Sequence, residues 1–487
     1  MQLTKSLEQN MAAIDEALRD CGDIVRREFR VNGNRKLVMI YADNFVDLEA
    51  LRESILETVM LDYENEKKEG LLQALMEEAI AISEVKKIGT VAEICDALFF
   101  GDTVLMMDGE DFALQTTTKK FPNRGIGKAE TEVVVQGPKD AFMEVMAFNI
   151  VLTRRRIRDS RLKLKRKKVG NRSRTDIALM YMEDLVRPEI LRQVEQQLDQ
   201  LDVEAIFDSG GVEQLLECHT YSPFPQLQMT ERPDKTAAAL LQGRIALLVD
   251  NTPYAILLPT TLNTFFQAAE DYYERWEIMS FIRAIRFGAA FLAVTLPGLY
   301  IAFSVYHPQL LPTALALKIA STRQTIPFSV IGEVLIMELS FELLREAGIR
   351  LPSPVSSTIG IVGGIIIGSA AVEAGIVSPA VVIVAALTGI CTFVIPNVSI
   401  VSGLRISKYL VILLAAVFGL FGVWAALLLL LAHLSGLTSY GIPYLYPFCS
   451  SSVNDDIDWE DSILRLPLSK MKDRPIFVNP TGRKGAE

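Results

Sequence analysis

The chain has 487 residues, with 49 Lys and Arg against 59 Asp and Glu, and a net charge of -10. Single hydrophobic cores stop growing near about 250 to 300 residues, so this length predicts at least two folded units. The acidic balance argues against a nucleic-acid partner, because such proteins need a surface that neutralises phosphates. The five cysteines are scattered without a CxxC pair, which predicts neither a disulfide framework nor a zinc site.

Residues 1–125 have the pattern of a small α/β subdomain. Leucine, glutamate, lysine and alanine recur at helical spacing in 3–20 and again in 45–83, which predicts amphipathic helices. The apolar run 36–41 (KLVMIY) predicts a buried strand. Asp108-Gly109, between two strand-like runs, predicts a hairpin turn.

Residues 126–172 are predicted to form a helical connector rich in basic side chains. Between 154 and 168, ten basic residues are opposed along the chain only by Asp159. Like charges at this density repel one another, so we expect the run to be exposed. We favour a solvated helix face or linker, and the alternative is a patch that attracts anionic lipid headgroups or an acidic partner.

Residues 173–285 predict a second α/β subdomain, in which the helices 188–201 and 233–241 alternate with apolar strands. Two of these strands flank the turn at 251–253. The chain has three histidines and lacks the HExxH, GxSxG and GxxxxGK[ST] motifs. We therefore expect no enzymatic activity, no cofactor and no metal.

Residues 286–436 predict a helical transmembrane domain. The uncharged run 287–306 has the length needed to cross a hydrocarbon layer of about 30 Å. Arg275, Arg283 and Arg286 stand just before it, so the positive-inside rule places the N-terminal region in the cytoplasm.

The helix at 325–347 is ambiguous because Glu333, Glu338 and Glu342 interrupt its apolar sequence. It could lie flat in the membrane interface as an amphipathic helix. Alternatively its carboxylates line a water-filled path and attract cations, since charged groups are too costly to leave against lipid. Both interpretations remain open.

Three glycines recur at four-residue spacing in the next apolar segment: Gly360, Gly364 and Gly368. This spacing puts them on one helix face and favours close helix packing. Val362 and Ile366 are candidates for a hydrophobic constriction if the same helix lines a pore.

Two further spans are predicted at 376–400 and 409–434, followed by a tail at 437–487. The number of crossings depends on the glutamate-bearing helix, giving four if it lies flat and five if it crosses. Basic residues in the tail favour four crossings, whereas Arg405 and Lys408 between the last two spans favour five. We choose four, with both termini cytoplasmic.

Several long motifs occur together in the chain: QGPKDAFMEVMAFNIVLTRRRIRDSRLK, IPFSVIGEVLIMELSFELLREAGIRLPSPV, IGIVGGIIIGSAAVEAGIVSPAVVIVAALTGI and DSILRLPLSKMKDRP. In this order they resemble the A-subunit family of GerA-type spore germination receptors, which includes the stage V sporulation AF-type branch. The resemblance extends from about residue 90 to 475 and does not separate the two branches.

The resemblance implies a multi-pass subunit of the inner spore membrane that assembles as a homo-oligomeric ring, a pentamer, and acts as a nutrient-gated cation channel. Its implied partners are a transporter-like B subunit that holds the nutrient and a lipoprotein C subunit. The alternatives are an accessory germination channel that amplifies the response with another membrane partner, or a membrane transporter or scaffold subunit.

Overall fold

The computed structural model describes residues 1–31, 35–52, 72, 85–118, 127–350, 366–449, 460–467, 469–471 and 475–479. The chain divides into two compact units. The first comprises Met1–Glu217, Leu227–Pro259 and Lys472–Glu487, and the second Cys218–Gln226 and Thr260–Met471.

The first unit begins with a five-stranded antiparallel sheet in the order β1-β2-β4-β5-β3. Its elements are α1 (Leu7–Ala17), β1 (Ile24–Val31), β2 (Arg35–Ala42), α2 (Leu48–Leu51), β3 (Val85–Ile88), α3 (Val91–Phe100), β4 (Thr103–Met107) and β5 (Ala113–Thr116). The predicted strand at 36–41 and the predicted hairpin at Asp108-Gly109 are both confirmed, and Gly109 supplies the positive φ of 95° that this turn requires.

The same unit contains a second five-stranded antiparallel sheet in the order β6-β7-β9-β10-β8. Its elements are α4 (Met146–Arg154), β6 (Leu162–Val169), β7 (Thr175–Met182), α5 (Pro188–Gln200), α6 (Ser209–Leu216), β8 (Gln228–Thr230), α7 (Pro233–Leu241), β9 (Ile245–Val249) and β10 (Ala255–Leu258). The strands β9 and β10 are wholly buried, which explains their continuous apolar sequence.

The two sheets repeat one another. Their strand orders correspond, and both first hairpins pair over eight residues, from Ile24↔Ala42 and from Leu162↔Met182. Gly101 and Gly243 both adopt positive φ between a helix and the following strand. The first unit is therefore built from two copies of one α/β arrangement.

The prediction of a helical connector at 126–172 is wrong for its basic part. Helix α4 ends at Arg154, and most of the following basic residues lie on strand β6. Their charges are matched by acids distant in sequence, as in the pairs Lys167–Asp199 and Arg166–Asp43. Because these acids are distant along the chain, the positive run looks unopposed in the sequence although most of its charges are paired in the fold.

A buried ion pair links the two sheets. Arg154 donates from Nε and Nη2 to the two carboxylate oxygens of Asp23, at 2.8 and 2.9 Å, and both side chains are at most 1% exposed. Arg154 also lies over the ring of Phe99, with 4.6 Å from its Cζ to the ring centroid. The loop before β1 adds a backbone bond, from the Gly22 amide to the Leu164 carbonyl at 2.9 Å.

The second unit is a helical bundle. Its elements are α8 (Leu262–Phe266), α9 (Trp276–Ile301), α10 (Thr313–Arg323), α11 (Val330–Arg350), α12 (Ala371–Glu373), α13 (Pro379–Phe393), α14 (Val398–Phe418), α15 (Leu420–Gly436) and the short strands β11 (Thr438–Ser439) and β12 (Ile442–Pro443). Among the described residues, two helices are long and apolar enough to cross a membrane, Trp276–Tyr306 and Val398–Phe418, and α13 and α15 are shorter apolar helices.

The predicted spans at 376–400 and 409–434 have the wrong boundaries. The first is divided at Asn397, whose side chain accepts from the amides of Ser399 and Ile400 and so caps α14. The second is divided at Gly419, which adopts a φ of 59° between α14 and α15. Arg405 and Lys408, predicted to lie in a connection, therefore lie inside α14.

Close helix contacts in the bundle depend on glycines outside the predicted motif. A Cβ on Gly298 of α9 would lie 2.8 Å from Cγ1 of Val411 in α14, and one on Gly422 of α15 would lie 1.9 Å from the Leu414 carbonyl oxygen. Both distances are too short for a real side chain, so only glycine allows these helices to approach so closely.

Buried charges fasten the tail to the start of α9. Asp271 accepts from Nε of Arg283 at 2.8 Å and from Nη1 of Arg286 at 2.7 Å. Asp461 of the tail accepts from Nη1 of Arg283 at 2.6 Å, and Arg465 is 3% exposed. Arg283 and Arg286, two of the three arginines used to predict the topology, therefore also have a structural role.

Candidate functional site

The acidic helix α11 lies with its N-terminal half in the core of the bundle. At its start, the Ser329 side chain accepts from the Gly332 amide at 3.2 Å, and the Ser329 carbonyl accepts from the Glu333 amide at 2.9 Å. The buried residues of the helix include two carboxylates, Glu333 and Glu338. A buried charge must find a partner, so the neighbours of these carboxylates decide what the helix can do.

Glu333 is fully buried and faces the beginning of α13. Its Oε2 accepts from the Ser378 amide at 2.8 Å, and its Oε1 lies 3.4 Å from Nε of Arg323. Because Ser378 directly precedes α13, the carboxylate satisfies an amide at a helix N-terminus and is stabilised by the helix dipole.

Glu338 pairs with a lysine from another helix. Its Oε2 accepts from Nζ of Lys408 in α14 at 2.5 Å, and the two side chains are 3% and 5% exposed. Oε1 of Glu338 is buried and has no hydrogen-bond partner in the described part of the chain. The position of this carboxylate therefore depends on Lys408.

The next turn of α11 makes a second link of the same kind. Glu342 forms an ion pair with Arg405 of α14. Arg345 donates to Oγ1 of Thr392 at 2.9 Å and lies over the ring of Phe393, both at the end of α13. Polar contacts thus connect the second half of α11 to two other helices.

We call the two pairs Glu338–Lys408 and Glu342–Arg405 the ion-pair ladder. The later glutamate meets the earlier cation, so α11 and α14 run antiparallel here. Sequence reasoning missed the cations because Arg405 and Lys408 were assigned to a loop. The available signal was their i, i+3 spacing within apolar sequence, which puts both on one face of a helix opposite acids spaced i, i+4.

Most residues of the predicted constriction and packing motif lie outside the described part of the chain. This holds for Gly360, Val362 and Gly364, and the side chain of Ile366 is likewise not described. A Cβ on Gly368 would lie 3.5 Å from Cγ1 of Val382, an ordinary contact with α13. The roles assigned to these residues stay predictions.

Within the described ranges, no group of three or more His, Cys, Asp or Glu side chains is arranged to hold a metal ion. The carboxylates of α11 meet lysine and arginine instead. The arrangement is that of charged groups neutralised inside an apolar bundle.

The family model for the Bacillus/Clostridium GerA spore germination protein matches residues 12–477 of this chain. The chain belongs to the GerA spore germination family. It is 37% identical over 480 residues to spore germination protein GerLA of Bacillus cereus, covering 98% of this chain and 96% of that protein. It is 35% identical to spore germination protein KA of Bacillus subtilis, covering 98% of this chain and 87% of that protein.

Two further matches of this GerA-family chain are a stage V sporulation protein and the solved structure of a single domain. Stage V sporulation protein AF of Bacillus subtilis is 29% identical, over 92% of this chain and 90% of that protein. A crystal structure of the N-terminal domain of the A subunit of the Bacillus megaterium spore germinant receptor GerK3 matches 53% of this chain and 96% of that domain, with 29% identity and a TM-score of 0.43.

Proposed function

We propose that this chain is the membrane subunit of a spore germination receptor and that it gates the release of monovalent cations when a nutrient is sensed. The observation that carries the proposal is α11, whose carboxylates Glu333 and Glu338 are buried in an apolar bundle. Ionisable groups at membrane depth are costly and are typical of ion pathways. GerA-family membership supports the germination setting.

In this proposal the chain assembles as a homo-oligomeric ring, a pentamer, in the inner spore membrane. A transporter-like B subunit holds the nutrient and a lipoprotein C subunit completes the complex. Identity is 37% to GerLA and 29% to the stage V protein, which favours the receptor branch over the accessory branch. The two-sheet region then serves assembly and signalling.

The end of the tail supports an even number of crossings, four rather than five. Val478 is fully buried among the core residues of the second sheet. The Asn479 amide donates to the Leu185 carbonyl at 2.8 Å, and Nε of Arg187 donates to the Val478 carbonyl at 3.3 Å. A chain that leaves this unit for the membrane must return to the same side, so both ends would be cytoplasmic.

Val362 and Ile366 are proposed to form the hydrophobic constriction of the ring. Val362→Ala should widen a narrow apolar ring, which then wets more easily and conducts. We expect spores carrying this variant to lose cations without nutrient, measured as potassium in the medium. Normal dormancy and normal germination in both Val362→Ala and Ile366→Ala would remove these residues from the pore.

The decisive experiment places the full-length chain with its B and C partner subunits in potassium-loaded liposomes. We expect potassium efflux when nutrient is added, and none when this chain is omitted. Liposomes that contain the complete, assembled complex and stay impermeable with every nutrient that germinates the parent spore would contradict the proposal.

A further inference from the structure

Helix α11 is attached to the bundle differently along its two halves. In the first half, Val334 and Met337 are buried in an apolar cluster that also contains residues of α13 and α14. In the second half, Leu339, Leu343 and Ile349 are 57%, 64% and 74% exposed. Apolar packing therefore secures mainly the first half of the helix, and from the second half Phe341 is partly buried against the same cluster.

The second half is held by polar links. Lys408 reaches Glu338 and Arg405 reaches Glu342, both from α14. Glu338 marks the boundary between the two halves, since it is the last buried residue of the helix. Loss of the ion-pair ladder would thus detach the second half of α11 from α14, while its packed half and the Arg345 contact with α13 stay in place.

We infer that Lys408 and Arg405 are positioning residues that hold Glu338 and Glu342 in ion pairs while the subunit is closed. Opening then separates α11 from α14 and breaks both pairs. This inference rests on the proposed function. Paired with a cation, each carboxylate offers little attraction to a passing ion, because the two charges cancel. Once the helices separate, Glu338 and Glu342 present negative charge to the path, as cation-selective pores require.

We call the ion-pair ladder a clamp if its two pairs break when the subunit opens. A permanent structural pair, which stays formed in both states, would have different consequences. Breaking a permanent pair lowers stability without changing the response to nutrient. Breaking a clamp shifts the equilibrium between closed and open subunits towards open, so current flows without nutrient. The two roles are separated by measuring leak and stability on the same variants.

The test uses the full-length chain with its partner subunits in potassium-loaded liposomes. We expect Lys408→Met to raise nutrient-independent efflux at least about tenfold. Exchanging the charges, with Glu338→Lys and Lys408→Glu together, should restore the low leak and the nutrient response. The matched control is Arg350→Met, which breaks the exposed pair Glu346–Arg350 on the same helix and should leave the leak unchanged.

Arg405→Met provides a second variant if Lys408→Met fails to assemble, because Glu342 keeps 21% of its side chain exposed and tolerates the loss better. Assembled Lys408→Met and Arg405→Met complexes that stay closed without nutrient would overturn the clamp, as would a charge exchange that leaks like the single change. If the parent complex itself shows no nutrient-dependent efflux, the proposed function fails before the clamp is tested.

Discussion

Strand β6 in the second sheet and helix α11 in the bundle both carry several like charges that pair with residues from other elements of the fold. On β6, Lys165 meets Glu195 at 2.9 Å, and the two side chains keep 29% and 23% of their surface exposed. In the bundle, Glu338 and Lys408 meet at 2.5 Å and are almost fully buried. The distances between the paired charges are similar, but the pair on β6 is partly exposed to solvent and the pair in the bundle is not.

This difference sets the energetic consequence of each pair. An ion pair open to water contributes about 0 to 1 kcal/mol, because water and salt already stabilise the separated charges. Removing one partner of a buried pair leaves an uncompensated charge and costs about 3 to 5 kcal/mol. Burial, rather than the presence of a pair, decides which charges the fold depends on.

The largest effect is expected at a buried pair outside the bundle, which tests whether burial alone sets the cost. Arg154→Ala should lower the free energy of unfolding by about 3 to 5 kcal/mol, because Asp23 then keeps a buried, uncompensated charge. Denaturant titration of the detergent-solubilised chain measures the change. Replacing both residues, with Asp23→Leu and Arg154→Met, should recover most of the loss, and a loss under about 1 kcal/mol for the single change would break the comparison.

An intermediate effect is expected at Glu213, a carboxyl that lies close to two other acidic side chains. Burial, with the nearby charges of Glu217 and Asp208, raises the pKa of Glu213 to about 7. Because this folded-state pKa exceeds the ordinary value of 4.5, ionisation opposes folding, and stability falls as the pH rises from about 4.5 through about 7. Glu213→Gln removes the ionisation and should stabilise the chain by roughly 1 to 2 kcal/mol at pH 8.

Denaturant titrations of the parent chain and of Glu213→Gln at pH 8 and at pH 4 check this prediction. At pH 4 both chains are neutral at this position and should have equal stability. Equal stabilisation at both pH values would mean that the substitution acts through packing rather than charge.

The smallest effect is expected at a pair on β6 whose acidic partner is open to solvent. Lys167 lies 2.6 Å from Asp199, whose side chain is 67% exposed. Lys167→Ala should therefore change the free energy of unfolding by less than about 1 kcal/mol, measured by denaturant titration in low and high salt. A loss comparable to that of Arg154→Ala would show that surface pairs on β6 matter as much as buried ones.

Local signals in the sequence were sufficient for several elements of the two sheets. The strand at 36–41, the Asp108-Gly109 turn and the helix at 233–241 depend on apolar runs, turn residues and a leading proline, and all three were predicted. Helix α3 was missed although the Thr90–Glu93 capping box and Gly101 mark its two ends, because the apolar run 97–100 is equally typical of a strand. The repetition of the two sheets was missed because it shows in the order and pairing of the strands, which cannot be recognised from residues shared between the two halves.

The candidate site could be predicted only in part. The unusual acids Glu333, Glu338 and Glu342 are visible in the sequence, but their partners come from distant segments. Helix α14 includes the end of one predicted span and the start of the next, so the residues between those spans, Lys408 among them, were predicted to form a loop. The structure instead ends the helix at Phe418, just before Gly419. Pairing across such separations follows from tertiary packing, which no local pattern encodes.

The central claim is that Glu338 and Glu342 of α11 are compensated within the chain by cations of α14. A double-mutant cycle on Glu338→Gln and Lys408→Met, with unfolding of the full-length chain measured in detergent, tests it most directly. We expect each single change to cost about 3 kcal/mol or more and the double change to cost clearly less than their sum. Costs that simply add would show that Glu338 and Lys408 do not interact, and the account of the bundle would be wrong.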